Sequence, residues 1–154
     1  MPSESRWYQD IARQVGTYRD TLDKKTAGRL KLDLLLRVAG RVDQFSGTCG
    51  QCQLYRQEVE RLVGEMGNLA QLPGREALHQ YRKALDVIVK HLTREHKLVR
   101  KGQNMALWIG IGVALGSGLS AALDNPGLSG MGIALGLAIG AYLDKKAEKE
   151  GRVL

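Results

Sequence analysis

The chain has 154 residues and a formal charge of +7, room for one modest domain plus a short second element. Aromatic residues are only 5% of it, too few for a β-rich core, and helix formers dominate. Residues 1–101 hold 19 Lys+Arg against 12 Asp+Glu, which accounts for the whole excess. These charges are interleaved, with no basic–aromatic patch; this disfavours nucleic acid and suits a domain beside an anionic leaflet.

The opening stretch, Met1 to Arg13, is polar and carries no secretory signal pattern. From Ser3, a candidate cap, to Lys25 the spacing predicts a helix with Trp7, Ile11, Val15 and Tyr18 on one apolar face. Trp7 is expected to dock on the domain rather than to touch a membrane. A second helix is predicted over Thr26 to Phe45, with Leu30, Leu34, Leu35, Val38, Val42 and Phe45 as its core stripe, widened by Leu32 and Leu36. Ser46-Gly47-Thr48 ends it. A third runs from Cys49 to Gln71 on Leu54, Tyr55, Leu62, Met66 and Leu69. Pro73-Gly74 then breaks the chain. A fourth runs from Arg75 to Lys101, with Leu78, Tyr81, Leu85, Ile88, Leu92 and Val99 inward, and is expected to lead almost straight into the next segment.

Both cysteines and two of the three histidines fall in Cys49-Gly-Gln-Cys52 and His91-Leu-Thr-Arg-Glu-His96. A short connection makes the third and fourth helices antiparallel. Folding them about residues 72 to 73 sets Cys49 and Cys52 opposite His91 and His96. Two thiolates and two imidazoles suit a closed tetrahedral zinc site, and a C-x2-C pair suits chelation from a helix start. His-x4-His resembles the spacings of zinc fingers, but the interval between the halves is too long to assign that family. One geometric conflict remains: residues five apart on a regular helix point about 140° apart. A redox C-x2-C pair and ordinary buried thiols stay open as alternatives. Glu95 is a candidate acceptor for a ligand imidazole or a solvated acid; His79 reads as a surface residue.

From Asn104 to Leu143 the only charged residue is Asp124. Gly110-Ile-Gly-Val-Ala-Leu-Gly repeats as Gly130-Met-Gly-Ile-Ala-Leu-Gly, an offset of about one membrane span. Each copy carries small residues four apart, Gly112, Gly116 and Ser120, then Gly132, Gly136 and Gly140; this spacing lines one helix face and lets backbones approach in lipid. Asp124-Asn125-Pro126-Gly127 reads as a tight turn. A soluble buried hairpin is the alternative, but neither arm has a polar face. The segment resembles the glycine-zipper two-helix membrane hairpins of small bacterial envelope proteins. That resemblance covers the hairpin alone. It implies topology and self-association, and no activity; the expected location is the bacterial inner membrane. Arg100 and Lys101 precede the first arm, and Lys145, Lys146 and Lys149 follow the second, so both termini are expected on the cytoplasmic side. Trp108 and Tyr142 suit that same interface.

The expected architecture is all-α: an N-terminal antiparallel helical bundle (1–101), a C-terminal two-helix transmembrane hairpin (102–144) and a basic tail (145–154). No phosphate-binding loop or Ser-His-Asp arrangement points to an enzyme or a small-molecule substrate. Three functions fit: a membrane-anchored adaptor or scaffold with a structural zinc, binding the bilayer and a protein partner; a self-assembling membrane effector or pore; and a metal or thiol-redox sensor. The first is favoured.

Overall fold

A computed structural model describes residues 5–71 and 74–154. The chain is all-α and divides into two compact units, the first ending at His96 and the second spanning Lys97–Leu154. Ser3, read above as a cap, and the turn at 72 to 73 lie outside the described residues.

In the first unit, α1 (Arg6–Thr21) is capped by Ser5, whose Oγ accepts from Tyr8 N at 3.2 Å. Asp23 caps α2 (Lys24–Leu30) by accepting from Lys25 N and Thr26 N. The Thr26 side chain, then the Thr26 backbone N–H, hold the Asp23 carboxyl below its usual range. Then come α3 (Leu32–Ser46), α4 (Gly50–Gln71) and α5 (Arg75–Glu95). Helices α1, α3, α4 and α5 pack together over a core that includes Ile11, Val15, Leu35, Val38, Val42, Leu62, Met66, Leu85 and Ile88. Trp7 is docked on α4, its Nε1 donating to Glu60 Oε1 and its ring lying under the Arg56 guanidinium.

Several readings of the sequence need correction, the first being that the helix expected to reach Lys25 ends at Thr21, where Leu22 and Asp23 separate it from α2. The helix expected over Thr26 to Phe45 is broken at Lys31, which is left-handed at φ 51°. The break frees two carbonyls, and α5 takes both: Tyr81 Oη donates to Leu30 O at 2.9 Å, and the Arg82 guanidinium donates to Arg29 O at 3.0 and 3.1 Å. Leu54, assigned to an apolar face, is 59% exposed; Val59 and Val63 are buried in that helix instead. And α5 does not run on to Lys101: it ends at Glu95, with His96 as its cap and Lys97 left-handed at φ 54°.

In the second unit, α6 (Gln103–Ala122) and α7 (Gly127–Lys149) form a hairpin packed along its length. Both are long and apolar enough to cross a membrane. Gly112, Gly116, Gly132, Gly136 and Gly140 line the seam. A methyl group on Gly112 would collide with Gly132 O, and one on Gly136 with Trp108 O; one on Gly116 would come within 2.9 Å of Leu128 O, and one on Gly140 within 2.5 Å of Met105 Cα. Gly132 faces Gly112 and Gly116, and Ser120 sits half-buried beside the turn. Gly110, Gly118 and Gly130 face open space. At the turn, Asp124 is left-handed and Asn125 Oδ1 accepts from Gly127 N. At the opposite end the Asp144 carboxylate accepts from Asn104 N (3.2 Å) and Met105 N (3.1 Å), capping α6 from α7. There Val99 also pairs with the 152–154 backbone: Val99 N donates to Arg152 O and Leu154 N to Val99 O. The residues 145–149 assigned to a tail therefore continue α7.

Candidate metal centre

The first half of the site is the α3–α4 corner. Cys49 N and Thr48 N both donate to Phe45 O, closing the turn that ends α3. Cys49 stands immediately before α4, and its carbonyl accepts from Gln53 N. Cys52 follows one turn later and is fully buried. The C-x2-C pair thus occupies a helix start, where free N–H groups face the sulfurs. The backbone N–H of Cys52 holds the Cys49 thiol below its ordinary range, against some burial. Burial, then the neighbouring Cys49, pushes the Cys52 thiol up to about 12.

The second half is the end of α5. His91 lies in its last turn and His96 is the residue after its last helical position. His96 leaves helical geometry at φ −98° and ψ 5°, while its N–H still donates to Leu92 O. The five-residue spacing therefore falls across the end of α5 and not within a regular helix.

The four side chains converge. Cys49 Sγ and Cys52 Sγ each lie 3.5 Å from His91 Nε2, and Cys52 Sγ lies 3.3 Å from His96 Nε2. All four ligand atoms fall within 4.8 Å of one another. A tetrahedral zinc about 2.3 Å from sulfur and about 2.0 Å from nitrogen sets sulfur–nitrogen edges of about 3.6 Å. The chemistry and the spacing of this donor set therefore fit one such ion.

Two aromatic residues, not identified from the sequence, hold the imidazoles. Phe45 stacks on His96 with centroids 3.9 Å apart and planes at 13°. Tyr55 meets His91 edge-on at 5.3 Å. Their positions were a usable signal: Phe45 lies four residues before Cys49 and Tyr55 three after Cys52, each about one helical turn away. Burial, reinforced by His91, lowers the His96 pKa and keeps its ring neutral, as a ligand must be. Glu95 and His79 are exposed and stand outside the set. No family model matches the chain, and no curated protein or solved structure matches it.

Proposed function

We propose that the protein is a membrane-anchored helical adaptor: a head of α1–α5 locked by one structural zinc, carried on a hairpin that crosses the bilayer and leaves both termini in the cytoplasm. The observation that carries this reading is the convergence of Cys49 and Cys52 with His91 and His96, drawn from segments 42 and 44 residues apart. Four protein ligands complete a tetrahedral shell and leave no position for water or substrate, which supports a structural metal over a hydrolytic one. Imidazole nitrogens in contact with both sulfurs favour metal over a dithiol acting alone.

The anchor is supported by the hairpin's outer surface. Leu107, Leu115, Leu119, Leu123, Met131 and Leu135 are each more than half exposed there, a belt that water would not tolerate and hydrocarbon would. The Gly112–Gly140 seam is engaged within one hairpin, which favours an anchor over a pore zippered between chains. A rigid head held at the surface suits recruitment of a protein partner.

Native mass spectrometry of the detergent-purified chain tests both halves. The expected result is one zinc per chain, lost in Cys52→Ser, from protein that stays with membranes after a carbonate wash. A metal ratio unaltered by Cys52→Ser overturns the zinc site. Recovery of the intact chain as a monodisperse particle in detergent-free buffer overturns the anchor.

A further inference from the structure

Two shallow grooves cross the surface of the head and meet at Lys31, the left-handed corner between α2 and α3. One follows α5 past Arg82, Lys83 and Lys90; the other passes Arg19 and Lys24. Together with Lys31 they hold six cations against two acids, Asp33 and Asp86. Each acid already faces a cation, Arg19 with Asp33 at 3.5 Å and Lys31 with Asp86 at 3.9 Å. Residues 1–96 contain 16 Lys+Arg and 12 Asp+Glu. The head's excess of four positive charges is therefore matched in full by this one strip, and the rest of its surface balances.

We propose that this strip docks the head onto the phosphate headgroups of an anionic bilayer leaflet. Charge complementarity names the partner class, and the strip's apolar content narrows it. Val87, between Lys83 and Lys90 on α5, is 49% exposed, and Leu22 and Leu34 are half-buried among the cations of the second groove. Long ammonium side chains interspersed with small apolar tips suit a headgroup layer. The grooves contain no Phe, Tyr or Trp and a single aromatic ring, His79, so they offer no row of rings on which successive bases could stack. The inference rests on the membrane-anchored reading above: a short segment, 97–102, joins the head to α6, so an inserted hairpin keeps the strip at high effective concentration beside the headgroups. Each Lys or Arg near an anionic surface strengthens attraction by roughly fivefold. Reversing two of them should abolish docking without touching the core or the metal ligands.

The test is lysine footprinting of the full chain in vesicles, by amine acylation and mass spectrometry. Phosphatidylcholine vesicles are compared with vesicles of about one-third phosphatidylglycerol. Acylation of Lys24, Lys83 and Lys90 is expected to fall severalfold in the anionic vesicles and to recover in high salt. In Lys83→Glu/Lys90→Glu, with zinc content and helicity unaltered, Lys24 should be acylated equally in both. Equal acylation of the native chain in both vesicles, from protein that floats with each, overturns docking and leaves the anchor standing. Failure to float with either vesicle overturns the anchor itself. Protection in neutral vesicles by an added RNA oligonucleotide, without protection by phosphatidylglycerol, overturns the lipid partner in favour of nucleic acid.

Discussion

The residue after the candidate ligand His96 holds a conformation that lysine normally avoids. Lys97 at φ 54° turns the chain off the end of α5, one position beyond the imidazole that faces Cys52. A left-handed residue with a side chain costs about 1–2 kcal/mol. Lys97→Gly should therefore be neutral or stabilising by up to about 1 kcal/mol, and Lys97→Val should both destabilise the head and weaken metal binding; thermal melts with and without chelator separate the two effects. The thiols set a second prediction. In the metal-free site Cys52 is protonated at neutral pH, its pKa raised to about 12, so binding a metal must expel that proton. Burial and then His91 lower the His96 pKa from its ordinary value, so its ring contributes no proton to that release. Zinc affinity should then rise by at least roughly tenfold per pH unit between pH 7 and 8. A chelator competition giving a flat profile would rule out Cys52 as a ligand. The four candidate ligands were legible from spacing alone. The Lys97 turn was not, because it lies in a backbone conformation that spacing does not encode; the aromatic supports were marked only by lying about one helical turn from each cysteine.

Whole helices were easier to read than their breaks. The apolar stripe from Leu30 to Phe45 is consistent with one continuous helix. Nothing near Lys31 forbids it, since the groups that satisfy the interrupted carbonyls sit on Tyr81 and Arg82, about fifty residues on. The buried Tyr81 hydroxyl is held in its protonated form by burial, as a donor to Leu30 O requires. Tyr81→Phe leaves that carbonyl without its donor and should cost about 1–3 kcal/mol, read as a lower melting temperature with little loss of helicity. In the hairpin the glycines four residues apart lie where the two backbones approach too closely for a methyl group. That spacing also separates two classes of glycine. Gly136→Ala drives a Cβ into Trp108 O and should destabilise the hairpin by roughly 1–3 kcal/mol. Gly118→Ala meets nothing within 4 Å and should be neutral or favourable by up to about 1 kcal/mol. Reversible unfolding in mixed micelles ranks the pair; equal effects would argue against the seam.

At the scale of the molecule, charge and hydropathy divide the work between the two units. The basic excess belongs to the head and its junction, and the apolar length belongs to α6 and α7. Both features stand in the sequence without any fold, which is why the architecture was legible while the end of α5 was not. Impermeant maleimide should label Gln14→Cys and Glu148→Cys only from the cytoplasmic face, and Asn125→Cys only from the opposite one; labelling of Glu148→Cys from outside would reverse the topology. The Asp144 carboxylate has a further consequence, for biosynthesis. It accepts from the free N–H groups at the start of α6, 40 residues upstream. While the ribosome is still making α7, the leading arm has neither its terminal acceptor nor the Val99 pairing that closes the base. On the membrane-anchored reading proposed above, the first arm alone is an incomplete guest for an insertase. The two arms should enter the lipid together, late in synthesis, and a nascent chain arrested before Asp144 clears the exit tunnel should remain extractable at alkaline pH.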